Sequence, residues 1–241
     1  MPNNPRISVI VPAYNEEKAL DRSLDSLTHQ TYRNFELIVV DNNSKDRTGE
    51  IARNYTPNVI LETQPGYIHA VRAGAAKATG ELITFCDADT FYPSDWLEKV
   101  VEVFDRIPQA VAVYGSCVTH DSSRFGNWLN GVLYTNFLWL SRFLGLDNTS
   151  GFNFVMRRDA YELVGGYDPK FKKMSPDIEL GKRLKKVGPV LYWPSIVVEA
   201  SFRRYQDGGA LQTQWMFFKA WWAMLRGQEP MDYTAYNQEI R

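Results

Sequence analysis

The chain has 241 residues, a formal net charge of −1, and 44% hydrophobic and 14% aromatic residues. That length fits one large domain with a small C-terminal appendage and a sizeable core, and the near-neutral charge excludes the basic field of a nucleic-acid binder. The two cysteines, Cys86 and Cys117, form no Cys-x-x-Cys and lack a matching histidine set, so zinc is not expected and a reducing compartment is.

Met1-Pro2-Asn3-Asn4-Pro5 lacks the charged and apolar regions of a signal peptide. No uninterrupted apolar run reaches the roughly 20 residues of a spanning helix, and a cytoplasmic location is the expectation. Ile7–Val11 is a β-branched run ending at Pro12 and reads as a strand. Glu17–Gln30 carries Ala19, Leu20, Leu24 and Leu27 at helical spacing. Phe35–Val40 is a second strand, after which Ser44 is the expected N-cap of a helix through Arg53. Val59–Leu61 is a short third strand, and Tyr67–Ala78 a helix ended by Gly80. Leu82–Cys86 is a strand, Ser94–Arg106 a helix and Ala110–Tyr114 another strand. This alternation predicts an α/β fold with a mostly parallel sheet and helices on both faces.

Two later segments are strongly apolar. Trp128–Leu146 is rich in Leu, Phe and Trp, and Trp215–Leu225 is apolar throughout except for Lys219. Either both pack against the sheet, or they form an interfacial surface or a cradle for a lipid acceptor. Trp215–Leu225 as a helix spans only about 16 Å at 1.5 Å per residue, too short for a bilayer core of about 30 Å. Apolar nearly all round, it needs burial on every side or a lipid neighbour. Its tryptophans, Lys219 and Arg226 favour peripheral attachment to the cytoplasmic membrane face, with Trp128–Leu146 as a second contact.

In open parallel sheets, ligands bind beyond the carboxyl ends of the strands. There the first strand runs into Ala13-Tyr14-Asn15-Glu16, the second into Asp41-Asn42-Asn43-Ser44 and the fourth into Asp87-Ala88-Asp89. Residues two apart on an extended backbone point the same way, so Asp87 and Asp89 can converge on Mg²⁺ or Mn²⁺, which favour oxygen ligands; alone they read equally as turn or cap aspartates. No Gly-rich phosphate cradle follows the first strand. A metal-bound nucleotide diphosphate fits such an acidic edge, and a dinucleotide does not. Asp41 either opens an Asx turn or faces the ligand. Asp177 and Glu179 precede a helix, where the macrodipole favours acids. Gly165-Gly166 is either a turn or a place of close backbone approach to an acceptor. His69 and Arg72 begin a helix near the active edge; Arg203 and Arg204 follow a strand-like Ile196–Glu199 and are either pyrophosphate clamps or a surface pair.

Ser8 through Glu16, Val39 through Thr48, Gly66 through Asp89, Gly165-Gly166-Tyr167-Asp168 and Pro176 through Leu184 occur in an order and spacing that resemble the inverting family 2 glycosyltransferases of the GT-A fold. The resemblance covers nearly the whole chain. It implies a catalytic domain at 1–205, with a nucleotide-binding half at 1–115 and an acceptor-binding half at 116–205, and a helical, membrane-interfacial extension at 206–241. It implies that Pro12, Ala13 and Glu16 line the base and ribose pocket, that Asp41 accepts a hydrogen bond from the base, that Asp87 faces the ribose or the metal, and that Asp89 binds Mn²⁺ or Mg²⁺ directly. Arg72, Arg203 and Arg204 join the donor site, and Gly165, Gly166 and Glu179 the acceptor site. The family's Glu-Asp pair is here Pro176-Asp177, leaving Asp177 as the general base with Glu179 as the alternative. The implied reaction moves a sugar from a UDP- or GDP-linked donor to a hydroxyl or to a polyprenyl- or lipid-linked acceptor of envelope glycan or glycolipid synthesis. Chemically, one carboxylate suffices as base, a metal stabilises the leaving diphosphate, and no carboxylate pair of the glycosidase kind is needed. Two rivals are a catalytically silent sugar-nucleotide-binding module and a GT-A-like nucleotidyltransferase. The second would carry a Gly-rich basic loop that Pro12–Glu17 lacks.

Overall fold

β1 (Ile7–Ala13) lies inside the sheet, and its apolar side chains divide between two cores. Ile7, Val9 and Val11 join one cluster and Ile10 the other, the period-two alternation of a strand buried on both faces. The computed structural model describes residues 4–119, 123–171, 174–201, 210–228, 230 and 232. After β1 come α1 (Leu20–Thr28), β2 (Phe35–Asp41), α2 (Thr48–Arg53), β3 (Val59–Leu61), α3 (Tyr67–Ala75), β4 (Leu82–Phe85) and α4 (Trp96–Arg106). The second half contains β5 (Ala112–Thr119), α5 (Arg124–Phe143), a 3-10 turn (Gly151–Asn153), β6 (Phe154–Arg157), α6 (Arg158–Leu163), α7 (Pro176–Leu184), β7 (Val190–Ala200) and α8 (Ala210–Leu225).

Seven strands form one sheet in the order β3-β2-β1-β4-β6-β5-β7. β6 runs antiparallel to both its neighbours, and the other pairings are parallel. The mostly parallel α/β architecture expected from the alternation is present. The chain steps outward from β1 to β2 and β3, then returns through α3 to β4 on the other side of β1. That reversal makes the carboxyl ends of β1 and β4 a switch point of the kind where open sheets bind ligands.

Several boundaries differ from expectation, each for a local reason. α1 begins at Leu20 because Glu16–Ala19 form a turn, with the Ala19 and Leu20 N–H groups on the Glu16 carbonyl. α2 begins at Thr48, not near Ser44: Asn43 is left-handed (φ 60°), and the Ser44 hydroxyl accepts from the Asn15 N–H instead of capping. β5 runs on to Thr119 through a register shift between Tyr114 and Ser116, so the division expected at 115/116 falls inside one strand. Gly115 sits at the shift because a Cβ there would strike the Ile196 carbonyl and the Asn153 amide. β6 has no counterpart among the expected strands.

α8 buries only one face. Met216, Ala220, Trp221 and Met224 are buried, whereas Trp215, Phe218 and Trp222 are exposed. Trp221 donates its ring N–H to the Ser141 hydroxyl at 2.9 Å. Among the described residues no helix is long and apolar enough to cross a membrane.

Candidate active site

At the first edge, β1 and β2 end level, Ala13 opposite Asp41. The loops that follow are laced together: Asn15 N–H to Ser44 Oγ (3.0 Å), Lys45 N–H to Asn15 Oδ1 (2.8 Å), Glu16 N–H to Thr48 Oγ1 (2.8 Å) and Glu17 N–H to Asp46 Oδ2 (3.1 Å). Asn15 (φ 55°) and Asn43 (φ 60°) take the left-handed conformation that asparagine tolerates. Asp41 closes an Asx turn by accepting the Ser44 N–H at 2.9 Å on Oδ1. Its other oxygen lies over Gly49, where a Cβ would come within 2.5 Å. Burial acts to raise the Asp46 pKa, but the Thr48 hydroxyl and N–H and the Glu17 N–H outweigh it, and the carboxyl stays below the usual range. The part played by Asn42 was not foreseen from the sequence. It is buried, donates to the Glu62 and Gln64 carbonyls (3.1 and 2.7 Å) and accepts the Gly66 N–H (2.8 Å). It thereby joins the end of β2 to the start of α3.

At the end of β4, Asp87 and Asp89 are both half-buried. The Asp87 N–H donates to the Tyr92 hydroxyl (3.1 Å), which in turn donates to the Phe152 carbonyl (3.0 Å). Burial pushes the Tyr92 hydroxyl well up, so it stays protonated and a donor. Asp89 helps line a cleft of about 270 Å³ together with Lys18, Arg22, Phe91 and Ser201. The Arg22 guanidinium lies 5.4 Å over the Phe91 ring. Among the described residues no three His, Cys, Asp or Glu side chains are grouped to hold a metal ion. A cation enclosed by protein alone does not fit this donor set. A cation that takes most of its oxygens from a bound diphosphate and water asks only one or two carboxylates of the protein.

The third part of the site is Asp177, which lies inside the first turn of α7 rather than before it. Ser175 enters the helix in a left-handed conformation (φ 60°), and Pro176 occupies its first turn. The Tyr167 hydroxyl donates to Asp177 Oδ1 in a short hydrogen bond, and the Tyr67 hydroxyl donates to the same oxygen at 3.4 Å. The Gly151 N–H adds a backbone bond, and a Cβ at Gly151 would come within 2.9 Å of both Asp177 Oδ1 and the Tyr67 hydroxyl. Burial pushes the Asp177 carboxyl above its ordinary value; Tyr167, the Gly151 and Asp177 N–H groups and Tyr67 oppose it and are outweighed. The result is a carboxyl made more basic than usual and fixed in orientation, properties suited to a general base.

Two arginines hold Tyr167 in place. Gly165 (φ 84°) and Gly166 (φ 64°) make a turn only glycines enter freely. Arg183 donates to the Val164 and Gly166 carbonyls, both at 2.7 Å. Arg72 donates to the Tyr167 carbonyl at 2.5 Å and the Gly165 carbonyl at 3.4 Å. Arg72 is thus engaged on this turn. Glu179 is engaged too: its two oxygens take bidentate bonds from Arg183 (2.7 and 2.6 Å). Both candidate bases are half-buried, and of the two only Asp177 takes hydroxyl donors. Arg203, Arg204 and His120 lie outside the described residues. Asn42, Tyr67, Gly151, Tyr167 and Arg183 are site residues to which sequence reasoning gave no role; all but Gly151 lie within the motifs that carry the resemblance.

A switch-point sheet edge bearing acidic loops thus lies in one fold with a half-buried carboxyl on a helix start. Residues 8–165 match the family model for Glycosyl transferase family 2, and the chain belongs to that family. Among relatives, a "PGL/p-HBAD biosynthesis glycosyltransferase" of Mycobacterium bovis is 28% identical over 183 residues, covering 71% of this chain and 66% of that protein. "Glycosyltransferase AglE" of Haloferax volcanii is 36% identical over 105 residues, covering 40% and 34%. The chain therefore spans less than two thirds of these relatives' length. Among solved structures, a mannosyltransferase from Pyrobaculum calidifontis in complex with GDP-Man and Mn²⁺ superposes with a TM-score of 0.66 at 23% identity, covering 87% of this chain and 63% of that one. Residues 1–349 of S. aureus TarS with UDP-GlcNAc give 0.65 at 19%, covering 98% and 70%. These likenesses bear out the GT-A fold.

Proposed function

We propose that this chain is an inverting glycosyltransferase that moves a sugar from a UDP- or GDP-linked donor, with Mg²⁺ or Mn²⁺, to a hydroxyl or lipid-linked acceptor. The acceptor belongs to envelope glycan or glycolipid synthesis and is met at the cytoplasmic face of a membrane. The observation that carries the reading is Asp177, a half-buried carboxyl that takes the Tyr167 and Tyr67 hydroxyls and has a raised pKa, beside a Glu179 already committed to Arg183. A single base, with Glu179 tied to Arg183, suits a single displacement, which needs no protein nucleophile. The acceptor hydroxyl gives its proton to Asp177 as its oxygen attacks the anomeric carbon. The bond to the donor phosphate breaks on the opposite face, its electron pair leaves with the diphosphate, and the configuration inverts.

Pro12, Ala13, Glu16 and Asp41 hold the base and ribose in the nucleotide half, 1–115. Gly165 and Gly166 admit the acceptor in the half at 116–205. Asp87 and Asp89 would hold the cation, which supplies charge neutralisation at the leaving diphosphate. The solved relatives with GDP-Man and Mn²⁺, and with UDP-GlcNAc, support donors of this class.

The test separates binding from chemistry. Asp177→Asn should keep donor affinity and lose about 100- to 10,000-fold in transfer rate, whereas Asp41→Ala should weaken nucleotide binding first. Transfer at the wild-type rate by Asp177→Asn, or turnover indifferent to a chelator, would remove the reading.

A further inference from the structure

We propose that the outward face of α5 is a membrane-docking surface that lies in the plane of an anionic bilayer's interface. From Phe125 to Leu144 the exposed side chains described on this segment are all apolar except Asn136. They fall at three- and four-residue steps, Phe125, Trp128, Val132, Asn136, Trp139 and Phe143 marking one continuous ridge. Phe143 is 87% exposed and Phe125 69%. α5 has 20 residues, so the ridge is about 30 Å long at 1.5 Å per residue. A water-facing helix places its apolar stripe inward, and apolar surface this continuous marks an interaction site. No charge interrupts it among the described side chains: Arg142 turns inward to Asp147 (2.6 Å) and the Val190 carbonyl (3.2 Å).

The margin of the ridge identifies the partner. α8 packs beside it, Trp221 lying 5.4 Å from the Phe137 ring, and leaves Trp215, Phe218 and Trp222 exposed. Lys219 lies 5.5 Å over the Trp215 ring, and Arg226 lies 4.6 Å over Trp222. Rings with cations beside them suit the boundary between acyl chains and anionic headgroups, the ring in one and the charge in the other. A second copy of the ridge would leave those cations facing their own kind. Beside the ridge, Trp128 and Val132 wall a groove of about 260 Å³ against Val118 and Val197, apolar enough for a hydrocarbon chain.

The inner side of the same helix braces the candidate base. The Tyr134 hydroxyl bonds the Ser150 hydroxyl at 2.8 Å, and the next residue, Gly151, bonds Asp177. One helix thickness, about 10 Å, separates the docking face from that cradle. On the glycosyl-transfer reading, the ridge brings lipid-borne acceptors to Asp177.

Co-sedimentation of the full chain with phosphatidylglycerol and with phosphatidylcholine vesicles tests the docking. Wild type should partition to the anionic vesicles, and Leu133→Glu with Leu140→Glu and Phe143→Glu should lower that partition by about ten-fold or more. Donor hydrolysis without lipid and the unfolding temperature should both be unchanged. Wild type left in the supernatant, a triple variant that binds as wild type does, or a wild-type dimer that the substitutions dissociate would overturn the proposal. Should the triple variant not fold, brominated lipids decide with wild type alone: they should quench tryptophan emission, and bound but unquenched protein overturns docking by this ridge. Loss of donor turnover with vesicle binding intact would count against the glycosyl-transfer reading and leave the docking standing.

Discussion

Replacing Tyr167 with Phe isolates how Asp177 is held. The ring is buried and packs edge-on against Phe85, with centroids 5.1 Å apart, and against Tyr67 at 6.0 Å. Phe preserves those contacts and removes only the hydroxyl. That hydroxyl leads the groups that oppose the effect of burial on Asp177. A hydrogen bond to a charged group contributes about 1.5–3 kcal/mol, and one between neutral groups about 0.5–1.5 kcal/mol. The variant should therefore lose more stability when Asp177 is ionised than when it is protonated. Because the folded-state pKa of Asp177 is already raised, its contribution to stability is fully present at low pH and is lost as pH rises through that titration. Tyr167→Phe raises the pKa further, so the same decline becomes deeper. Urea unfolding in mildly acidic and mildly alkaline buffer measures the difference directly. The acid limb of kcat/KM should move to higher pH in parallel. An equal loss of stability in both buffers together with an unmoved limb would refute the reasoning.

Other substitutions probe the surrounding packing. Glu179→Gln breaks the bidentate pair with Arg183 and should cost about 1 kcal/mol of stability, with donor affinity unchanged; a rate loss as large as that of Asp177→Asn would transfer the base role to Glu179. Trp221→Ala, at a buried ring bonded to Ser141, should cost about 3–5 kcal/mol. Trp222→Ala, 41% exposed, should cost below about 1 kcal/mol. Equal unfolding temperatures for the two variants would place α8 differently.

The first half of the chain was largely legible in the sequence because its strands are buried parallel runs bounded by turn residues. β3 has the expected ends, Val59 and Leu61, and β1 and β2 run only one or two residues further than their apolar runs suggest. The second half was much less so. β6 is four residues long and passes directly into α6, which leaves no room for a strand period to declare itself. The placement of Tyr167 depends on Arg72, 95 residues away, and on a glycine turn whose partners come from α3 and α7. No local pattern encodes contacts of that range. Arg72 was legible as a cation near the edge, but which carbonyls it meets is decided by how α3 packs. The apolar content of α5 was equally plain, while its open side was not: Leu138 and Trp139 are adjacent and alike in sequence, yet one is buried and the other 52% exposed.

Asp177 itself shows what the fold gives up at this site. The first turn of a helix favours a negative charge by about 0.3–1 kcal/mol, and Tyr167, Tyr67 and Gly151 all donate to this one. The carboxyl nevertheless titrates above its ordinary range, so loss of hydration outweighs the dipole and the donors together. Ionised Asp177 is therefore a net burden on stability at neutral pH. An amide of the same shape keeps an oxygen for the Tyr167 hydroxyl and carries no charge to desolvate. Asp177→Asn should accordingly be at least as stable as wild type in neutral buffer, and its stability should lack the decline with rising pH that Asp177 gives wild type. A residue retained for packing behaves in the opposite way, since replacing it lowers stability. Unfolding curves for both proteins across the pH range distinguish the cases, and a variant less stable than wild type at neutral pH would mean that Asp177 is held in place for the fold and not for chemistry.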